Sequence, residues 1–393
     1  MKMLQTMEVT RHLWNDALAH RKTRWELERR STSYNMQASI LTLEREEDVE
    51  LGGLHSQVCQ DVLRRLDRAF KSFFAHRARY PRFKKRSDTG SFTYPQCYNG
   101  SVRPDTLRRR LYISKIGNVK AVFHRPLPKD ALLKTCTVTR EPDGKWFASL
   151  VFEEVVPLQN VVTKFVSPVG VDLGLSSLII TSDGAEVEHP RFLRKAEKRL
   201  KRLQRSLSHK KKGSKNRLKA RQRVASQYSR VRRQRLDFVH KLSTALVRRH
   251  DLIAFEDLRI KNMVKNHRLA KSIQDAGWGQ LVRLTDYKAL SKGRRVIRVD
   301  PAYSTQECLH CGALNKVYLD VREFDCLRCG RHLRRDHNAS CIVLKRGLAK
   351  VGQDMPELKP VEARPLLVAT TRGASQVEEA GTIRQRGLEA HAV

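Results

Sequence analysis

No apolar run in these 393 residues approaches the ~18 consecutive residues that a membrane-spanning helix needs. The first residues, MKMLQTMEVTRHLWND, lack the apolar centre of a signal peptide. Both absences lead to the expectation of an intracellular, cytoplasmic protein with no membrane partner. Acidic residues are scarce: 41 Asp and Glu stand against 78 Lys and Arg, a formal net charge of +37. Such an excess opposes compaction unless a polyanion neutralises it, so nucleic acid is the expected partner and an anionic membrane surface falls far behind. Cysteine is also sparse. Of eight, four stand in two close pairs, and the single Cys59, Cys97, Cys136 and Cys341 read as buried thiols of a reducing compartment rather than as a disulfide framework. Apolar residues are plentiful at 40%, enough to give a chain of this length two or three cored units.

Leu13, Trp14, Ala17, Leu18 and Trp25 recur at helical spacing, and Val58, Val62, Leu66, Phe70, Phe73 and Phe74 repeat the pattern, so residues 9–78 read as a helical unit. Tyr80 and Pro81 end it, and the basic, turn-rich RFKKRSDTGSFTYP marks a boundary. From about 91 to 155 the texture is that of β-hairpins. RLYISKIGNVKAVFHR places two runs around Gly117 and Asn118, and TCTVTREPDGKWFASLVFE places two around Asp143 and Gly144, which together suggest a small antiparallel barrel. A second β-rich unit starts with VSPVGVDLGLSSLIITSDG and takes in DLIAFED and RRVIRVD. Residues 191–250 carry about twenty Lys and Arg before Asp237, on a predicted helical pair broken near Lys212, Gly213 and Ser214. Beyond about Leu348 the chain loses its period and its aromatics, and a mobile tail is expected.

Three carboxylates stand out by position. Asp172 follows PVGV, Glu256 follows LIAF, and Asp336 precedes NASCIVL, so two sit at the ends of apolar strands and one opens an apolar helix. Strand ends hold side chains in fixed directions, as a metal site requires. Three gathered carboxylates repel one another, and cations relieve this: Mg²⁺ prefers oxygen ligands, and two ions ~3.5–4 Å apart stabilise both the attacking and the leaving oxygen of a phosphodiester. Any one of the three alone would read as a turn or cap residue.

Cys308 and Cys311 form one CxxC knuckle and Cys326 and Cys329 a second, fourteen residues apart, with Gly312 and Gly330 directly behind them. Four sulfurs suit one tetrahedral Zn²⁺, and a closed set of this kind is structural by default. His310 is an alternative ligand that the symmetry of the knuckles disfavours. The basic run of 191–235, with Lys198, Arg202 and Arg205, reads either as a solvated helix face or as a phosphate-backbone contact; its one-sided sign favours the second. YPRFKKR mixes Tyr80 and Phe83 with Arg82, Lys84, Lys85 and Arg86, which suits stacking on single-stranded or folded RNA, and equally suits a core. Trp278 in DAGWGQL reads as packing.

Taken together, GVDLGL, IAFEDLRIKNM, DAGWG, the SxQxCxxCG and CxxCG knuckles and RDHNAS closely resemble TnpB (OrfB), the transposon-encoded RNA-guided endonuclease akin to compact type V CRISPR effectors. LDRAFKSFF, YPRFKKR, SFTYP and AVFHRPLP extend the resemblance over roughly residues 10–348. It implies a mixed α/β and all-β multidomain chain: an RNase-H-like (RuvC) domain with an inserted zinc ribbon, and a small β-barrel (wedge) domain carrying a helical insert. On this basis residues 1–8 are an N-terminal remnant, 9–87 a helical recognition unit, 88–165 the barrel and 166–300 the nuclease domain with its basic helices at 191–250. The zinc ribbon then spans 301–332, the last nuclease segment 333–348, and a disordered tail 349–393. The family's acidic ligands fall on Asp172, Glu256 and Asp336, holding Mg²⁺, and its zinc ligands on Cys308, Cys311, Cys326 and Cys329.

The implied activity is cleavage of double-stranded target DNA beside a short flanking motif, directed by a guide RNA from the transposon end, with a monomer as the favoured working unit. Two departures stand out: the family usually has a basic strand before the first helix, and Arg334 stands where an extra acidic residue often precedes RDxN. The rival readings are a guide-dependent DNA-binding protein or repressor that does not cut, a transposition accessory protein, and a strand-transfer transposase.

Overall fold

The computed structural model describes residues 2–85, 90–124, 126–128, 130–154, 164–316, 321–355, 364–365 and 382–385. The chain divides into two compact units, Met1–Val155 with Glu378–Val393, and Val156–Val377.

The first unit opens with helices α1 (Lys2–Glu28), α2 (Tyr34–Glu47), α3 (Val49–Gly52) and α4 (Ser56–Phe74). Ser33 caps α2 by accepting the Met36 amide, and Asp48 caps α3 by accepting those of Glu50 and Leu51. Leu13, Trp14, Ala17 and Leu18 of α1 bury against Leu41, Val62, Leu63, Leu66 and Phe70. Trp25 and Phe74, read as part of these apolar faces, are 52% and 70% exposed because they lie in the last turns, past the shared core. Residues 2–8, expected as part of an N-terminal remnant, belong to the first helix: α1 starts at Lys2, and Met3 and Met7 extend its apolar spacing onto the β-sheet core.

That core belongs to β1 (Ser91–Tyr94), β2 (Val102–Asp105), β3 (Arg110–Ile113), β4 (Gly117–Lys120), β5 (Val122–Phe123), β6 (Leu132–Arg140) and β7 (Trp146–Glu153). β1, β6 and β7 form an antiparallel sheet that the segment Thr382–Gln385 extends to β5, and β2, β3 and β4 form a second sheet. Phe92, Tyr94, Leu111, Ile113, Cys136 and Val138 fill one core between them. Among the described residues no ladder closes the two sheets into one barrel. The first hairpin turns at Ser114, Lys115 and Ile116 rather than at Gly117 and Asn118; Lys115 takes the left-handed backbone (φ 66°), and Gly117 already pairs with Ile113. The second turns at Asp143 and Gly144, as expected, with Gly144 at φ 83°. The helical and β parts do not separate at 87: Val58 of α4 enters the β core, and Arg65 donates to Ser91 O at 3.1 Å.

The second unit contains β8 (Pro168–Leu173), β9 (Ser177–Thr181), β10 (Ala185–Glu188), α5 (Phe192–Ser208), α6 (Lys215–Arg249), β11 (Leu252–Glu256), α7 (Ile260–Met263), α8 (His267–Ala276), α9 (Trp278–Leu290), β12 (Arg295–Val299), β13 (Glu323–Asp325), β14 (His332–Arg334) and α10 (Arg335–Ala349). The sheet runs β12-β11-β8-β9-β10; β8 to β10 are antiparallel neighbours, while β11 and β12 run parallel to β8. Helices cover both faces, which is why PVGVDL and LIAF are continuous apolar runs rather than alternating ones. Val169, Val171, Ile253 and Phe255 face Phe238, Val239, Leu242, Leu246 and Trp278. Their strand neighbours Gly170, Leu252 and Ala254 face α10.

Two parts of the expected tail are strands instead, because they pair with open sheet edges: Arg364–Pro365 beside β10 and Thr382–Gln385 beside β7. The rest of the tail beyond residue 355 lies outside the described residues, and helix α10 continues to Ala349.

A Cβ on Gly170 would stand 2.0 Å from Ser340 O and 2.5 Å from Leu344 N, and one on Gly347 2.6 Å from the Ala254 Cβ. The helix lies on the sheet backbone itself. Gly170→Ala is therefore expected to cost about 2 kcal/mol or more by forcing α10 outward. Thermal unfolding reads this out, and a melting temperature equal to wild type would refute it.

Candidate metal centres

Parallel β8 and β11 are paired Gly170 to Ala254 and Val171 to Phe255, so continuing the register sets Glu256 level with Asp172 on the face under α10. From Gly170 to Asp172 the strand advances ~6.6 Å, and from Ser340 back to Asp336 the helix withdraws ~6 Å. Contact at Gly170 thus delivers the first turn of α10, with Asp336, over the strand end that carries Asp172. Asp172 and Glu256 are buried, and the Asp336 side chain is 19% exposed.

The electrostatics follow from that gathering. Burial pushes the Asp172 carboxyl well above the ordinary carboxylate range, the negative Glu256 and Asp336 push it further, and Arg335 opposes them. Burial also raises Glu256, against the Ser304 hydroxyl, which donates to its Oε1 at 2.6 Å, and the charge of Arg346. Asp336 is met by two guanidinium groups: Arg335 donates to Oδ1 at 2.9 and 3.1 Å, and Arg322 to Oδ2 at 3.1 Å. Arg334 pairs with Glu186 at 3.0 Å. The fold sets Glu256 and Asp336 near enough to act on Asp172, and Ser304, Arg322 and Arg335 emerge as partners of these acids only there. For Ser304 the available signal was its place four residues before Cys308.

The four cysteines converge more tightly. Among the described residues they are the one group of three or more His, Cys, Asp and Glu side chains whose ligand atoms all lie within 4.8 Å of one another. Cys308 and Cys329 are 3.7 Å apart, and Cys311 and Cys326 3.5 Å. Tetrahedral Zn–S bonds of ~2.3 Å give edges of about 3.8 Å, so the sulfurs fit zinc. Gly312 and Gly330 stand at φ 70° and 68° and donate back to Cys308 O and Cys326 O, the bend each knuckle needs. The amides of Cys329 and Arg328 draw the Cys326 thiol down to about 6, whereas, against the Arg331 amide, burial and the neighbouring sulfurs push Cys329 up to about 12, so the four sulfurs share their protons unequally. The other four cysteines are free and buried. The ribbon closes with β14, which runs past the expected boundary at 332.

Helices α5 and α6 form the expected pair, broken between Ser208 and Lys215, and Ser214 caps α6 by accepting the Arg217 amide. Lys198, Arg202 and Arg205 lie exposed along one face of α5, and Glu197 is the only acid between 191 and 236. Asp275 anchors the pair, accepting the Leu193 amide and Arg235. In the first unit Lys84 is not a free contact. Its Nζ stands 3.8 Å over the Trp14 ring, burial draws it down to about 8, and Asn15 bonds both its backbone groups. Tyr80 packs edge-on against Phe70 and Phe73 while staying 43% exposed; Phe83 is 51% exposed, Arg82 and Lys85 are exposed, and Arg86 lies outside the described residues. Trp278 is core.

The Asp172 carboxyl binds its proton more tightly folded than unfolded, so its contribution to stability is full below the ordinary carboxylate range and is lost as pH rises through the raised folded value. In magnesium-free buffer Asp172→Asn should therefore unfold at higher denaturant than wild type at neutral pH, by on the order of 1–3 kcal/mol, with the gap closing in acid. A gap that widens in acid would contradict this. For the ribbon, elemental analysis should find one zinc per chain and none in Cys326→Ser, whose ribbon should be cut early in limited proteolysis; a zinc-free wild type would overturn the assignment.

Comparison with known proteins adds the lineage. The OrfB_IS605 family model, described as "Probable transposase", matches residues 151–267, and a model of the Cas12f1-like TNB domain matches 278–343. A Streptomyces pristinaespiralis protein with the provisional name RNA-guided DNA endonuclease is 36% identical over 360 residues, covering 88% of this chain and 86% of that one. One from Escherichia coli K12 with the provisional name RNA-guided DNA endonuclease InsQ is 33% identical over 376 residues, covering 90% and 91%. Among solved structures, a chain of a cryo-EM Cas12f1–sgRNA–target DNA complex aligns with TM-score 0.54 at 12% identity over 87% of this chain and 81% of that one, a likeness of fold. With such identity along nearly the whole of both relatives, the chain belongs to the TnpB-like (OrfB) family of RNA-guided DNA endonucleases.

Proposed function

We propose that the protein binds a guide RNA from its transposon end and hydrolyses the backbone of matched double-stranded DNA beside a short flanking motif, using Mg²⁺ held by Asp172, Glu256 and Asp336. The observation that carries this reading is the assembly of those three carboxylates from β8, β11 and α10 at one pole of the sheet, two of them buried. Their donor set is all carboxylate oxygen, which fits a hard cation, and two buried neighbouring acids reach full ionisation most readily beside positive charge. Bound Mg²⁺, as two ions, would activate water and stabilise the leaving oxygen of the phosphodiester.

The chain's own residues do the rest. Ser304 orients Glu256, Arg335 holds Asp336 from within, and the 55%-exposed Arg322 side chain can leave Asp336 at little cost. The strand order, three antiparallel strands followed by two parallel to the first, supports an RNase-H-like (RuvC) reading, and the two sheets around one core in the first unit support the wedge-barrel reading. The cationic face of α5 and α6 suits a phosphate backbone, a contact that is independent of sequence and weakens with salt. Sequence is then read by guide pairing, so few base-specific side chains are needed. The ribbon's sulfurs, closed on themselves, serve structure.

The test is plasmid cleavage by protein purified with its RNA. Wild type should cut a matched plasmid only with divalent metal and only before RNase treatment, and Asp172→Ala should lose activity by on the order of a thousandfold or more. Equal cutting by Asp172→Ala would sink the reading; specific binding without cutting by wild type would make the protein a guide-dependent binder instead.

A further inference from the structure

The ribbon is separated from β12 by residues 300–307, and this stem touches both catalytic elements. At Tyr303 the backbone is left-handed (φ 60°), a conformation that a non-glycine residue adopts at a cost, and its carbonyl accepts the amides of Gln306 and Glu307, both at 2.9 Å. The resulting turn leaves Tyr303 61% exposed and drives Ser304 inward, to 3% exposure, where its hydroxyl meets Glu256. The stem is also fastened to α10. Arg346 donates to Asp300 O at 2.7 Å, to Ala302 O at 2.8 Å and to Glu307 Oε2 at 2.7 Å. Asn338, two residues after Asp336 and 1% exposed, donates to Glu307 O at 2.7 Å and accepts the amide of Leu309, which lies between Cys308 and Cys311, at 3.1 Å.

We infer that Ser304 and Asn338 are positioning residues that make the base of the ribbon part of the acidic centre: Ser304 fixes the rotamer of Glu256, and Asn338 ties the turn bearing Asp336 to the first knuckle. A buried carboxylate with one oxygen held by a short hydroxyl bond offers its remaining lone pairs in a fixed direction. The Asn338 amide uses both its ends on the stem, so the first turn of α10 and the knuckle move together. The ribbon thereby gains a task beyond its own folding, since displacement of its first knuckle is transmitted to two of the three acids. Outer partners of metal-binding side chains are typically worth ~10–100-fold in metal affinity or activity.

This inference rests on the proposed nuclease reading, and its test has a readout separate from cutting. Mn²⁺ is titrated, by electron paramagnetic resonance, into zinc-loaded full-length protein with its RNA, for wild type, Ser304→Ala, Ser304→Thr and Asn338→Ala. Ser304→Ala should keep its zinc and its RNA but bind Mn²⁺ ~10–100-fold more weakly, with a matching rise in the Mn²⁺ needed for half-maximal cleavage. Ser304→Thr, which retains the hydroxyl, should restore most of the affinity. In Asn338→Ala the Leu309 amide should exchange its hydrogen faster while the melting temperature stays within a few degrees. Wild-type Mn²⁺ affinity in Ser304→Ala, or a Ser304→Thr as weak as Ser304→Ala, overturns the inference while leaving the nuclease reading intact. If wild type binds Mn²⁺ but never cuts, the nuclease reading falls and the titration still decides the role of Ser304. A wild type that takes up no Mn²⁺ overturns both.

Discussion

With no side chain at Gly170, the backbone of α10 at Ser340 and Leu344 settles directly onto β8, and Gly347 settles onto Ala254 of β11 in the same way. Ridge-in-groove packing would hold a helix roughly 10 Å from a sheet; here small residues on both sides remove that spacer. The consequence is geometric. A helix turn and two strand residues have nearly the same length, so the helix that touches at Gly170 brings its next turn over Asp172. The acidic pole is therefore a product of backbone proximity: Glu256 and Asp336 come near enough to act on Asp172 because residues with little or no side chain lie one step behind them.

That proximity works against the charges it assembles. Asp172 and Glu256 are buried side by side in a chain whose surplus is overwhelmingly positive, yet little of it reaches them: Arg335 and Arg346 offset the burial of Asp172 and Glu256 only in part, Arg335 and Arg322 bond Asp336, and the long cationic face of α5 stays in solvent. Most of the positive charge is displayed outside. A protein so arranged carries an acidic pole together with a cationic helical surface, the pairing that the proposed metal-assisted cleavage of a phosphodiester backbone calls for.

The sequence disclosed those parts of the fold that short-range chemistry dictates. PVGVDL and LIAF read as strands because burial on two faces leaves an unbroken apolar run, and the knuckles read as a ligand set because four sulfurs at that spacing have few other uses. The break between α5 and α6 followed from lysines and glycine in the middle of a helical period. The partners of the acids were illegible, since the bond from Ser304 to Glu256 exists only once β12 lies parallel to β11 and the stem turns at a left-handed tyrosine. The first hairpin was misplaced for a similar reason: Lys115 accepts a backbone conformation usually left to glycine. YPRFKKR allowed two readings, and the fold divides them, with Lys84 laid on Trp14 and Phe83 turned to solvent.

The order of these parts along the chain also sets a sequence in time. During synthesis β8 to β12 and both basic helices emerge before α10, so the face containing Gly170 and Ala254 waits uncovered until α10 leaves the ribosome. The ribbon, threaded immediately ahead of α10, must acquire its turns in that interval. A nascent or truncated chain that ends before Arg335 would thus carry its cationic surface fully displayed and its acidic pole without Asp336, so the proposed centre is completed last.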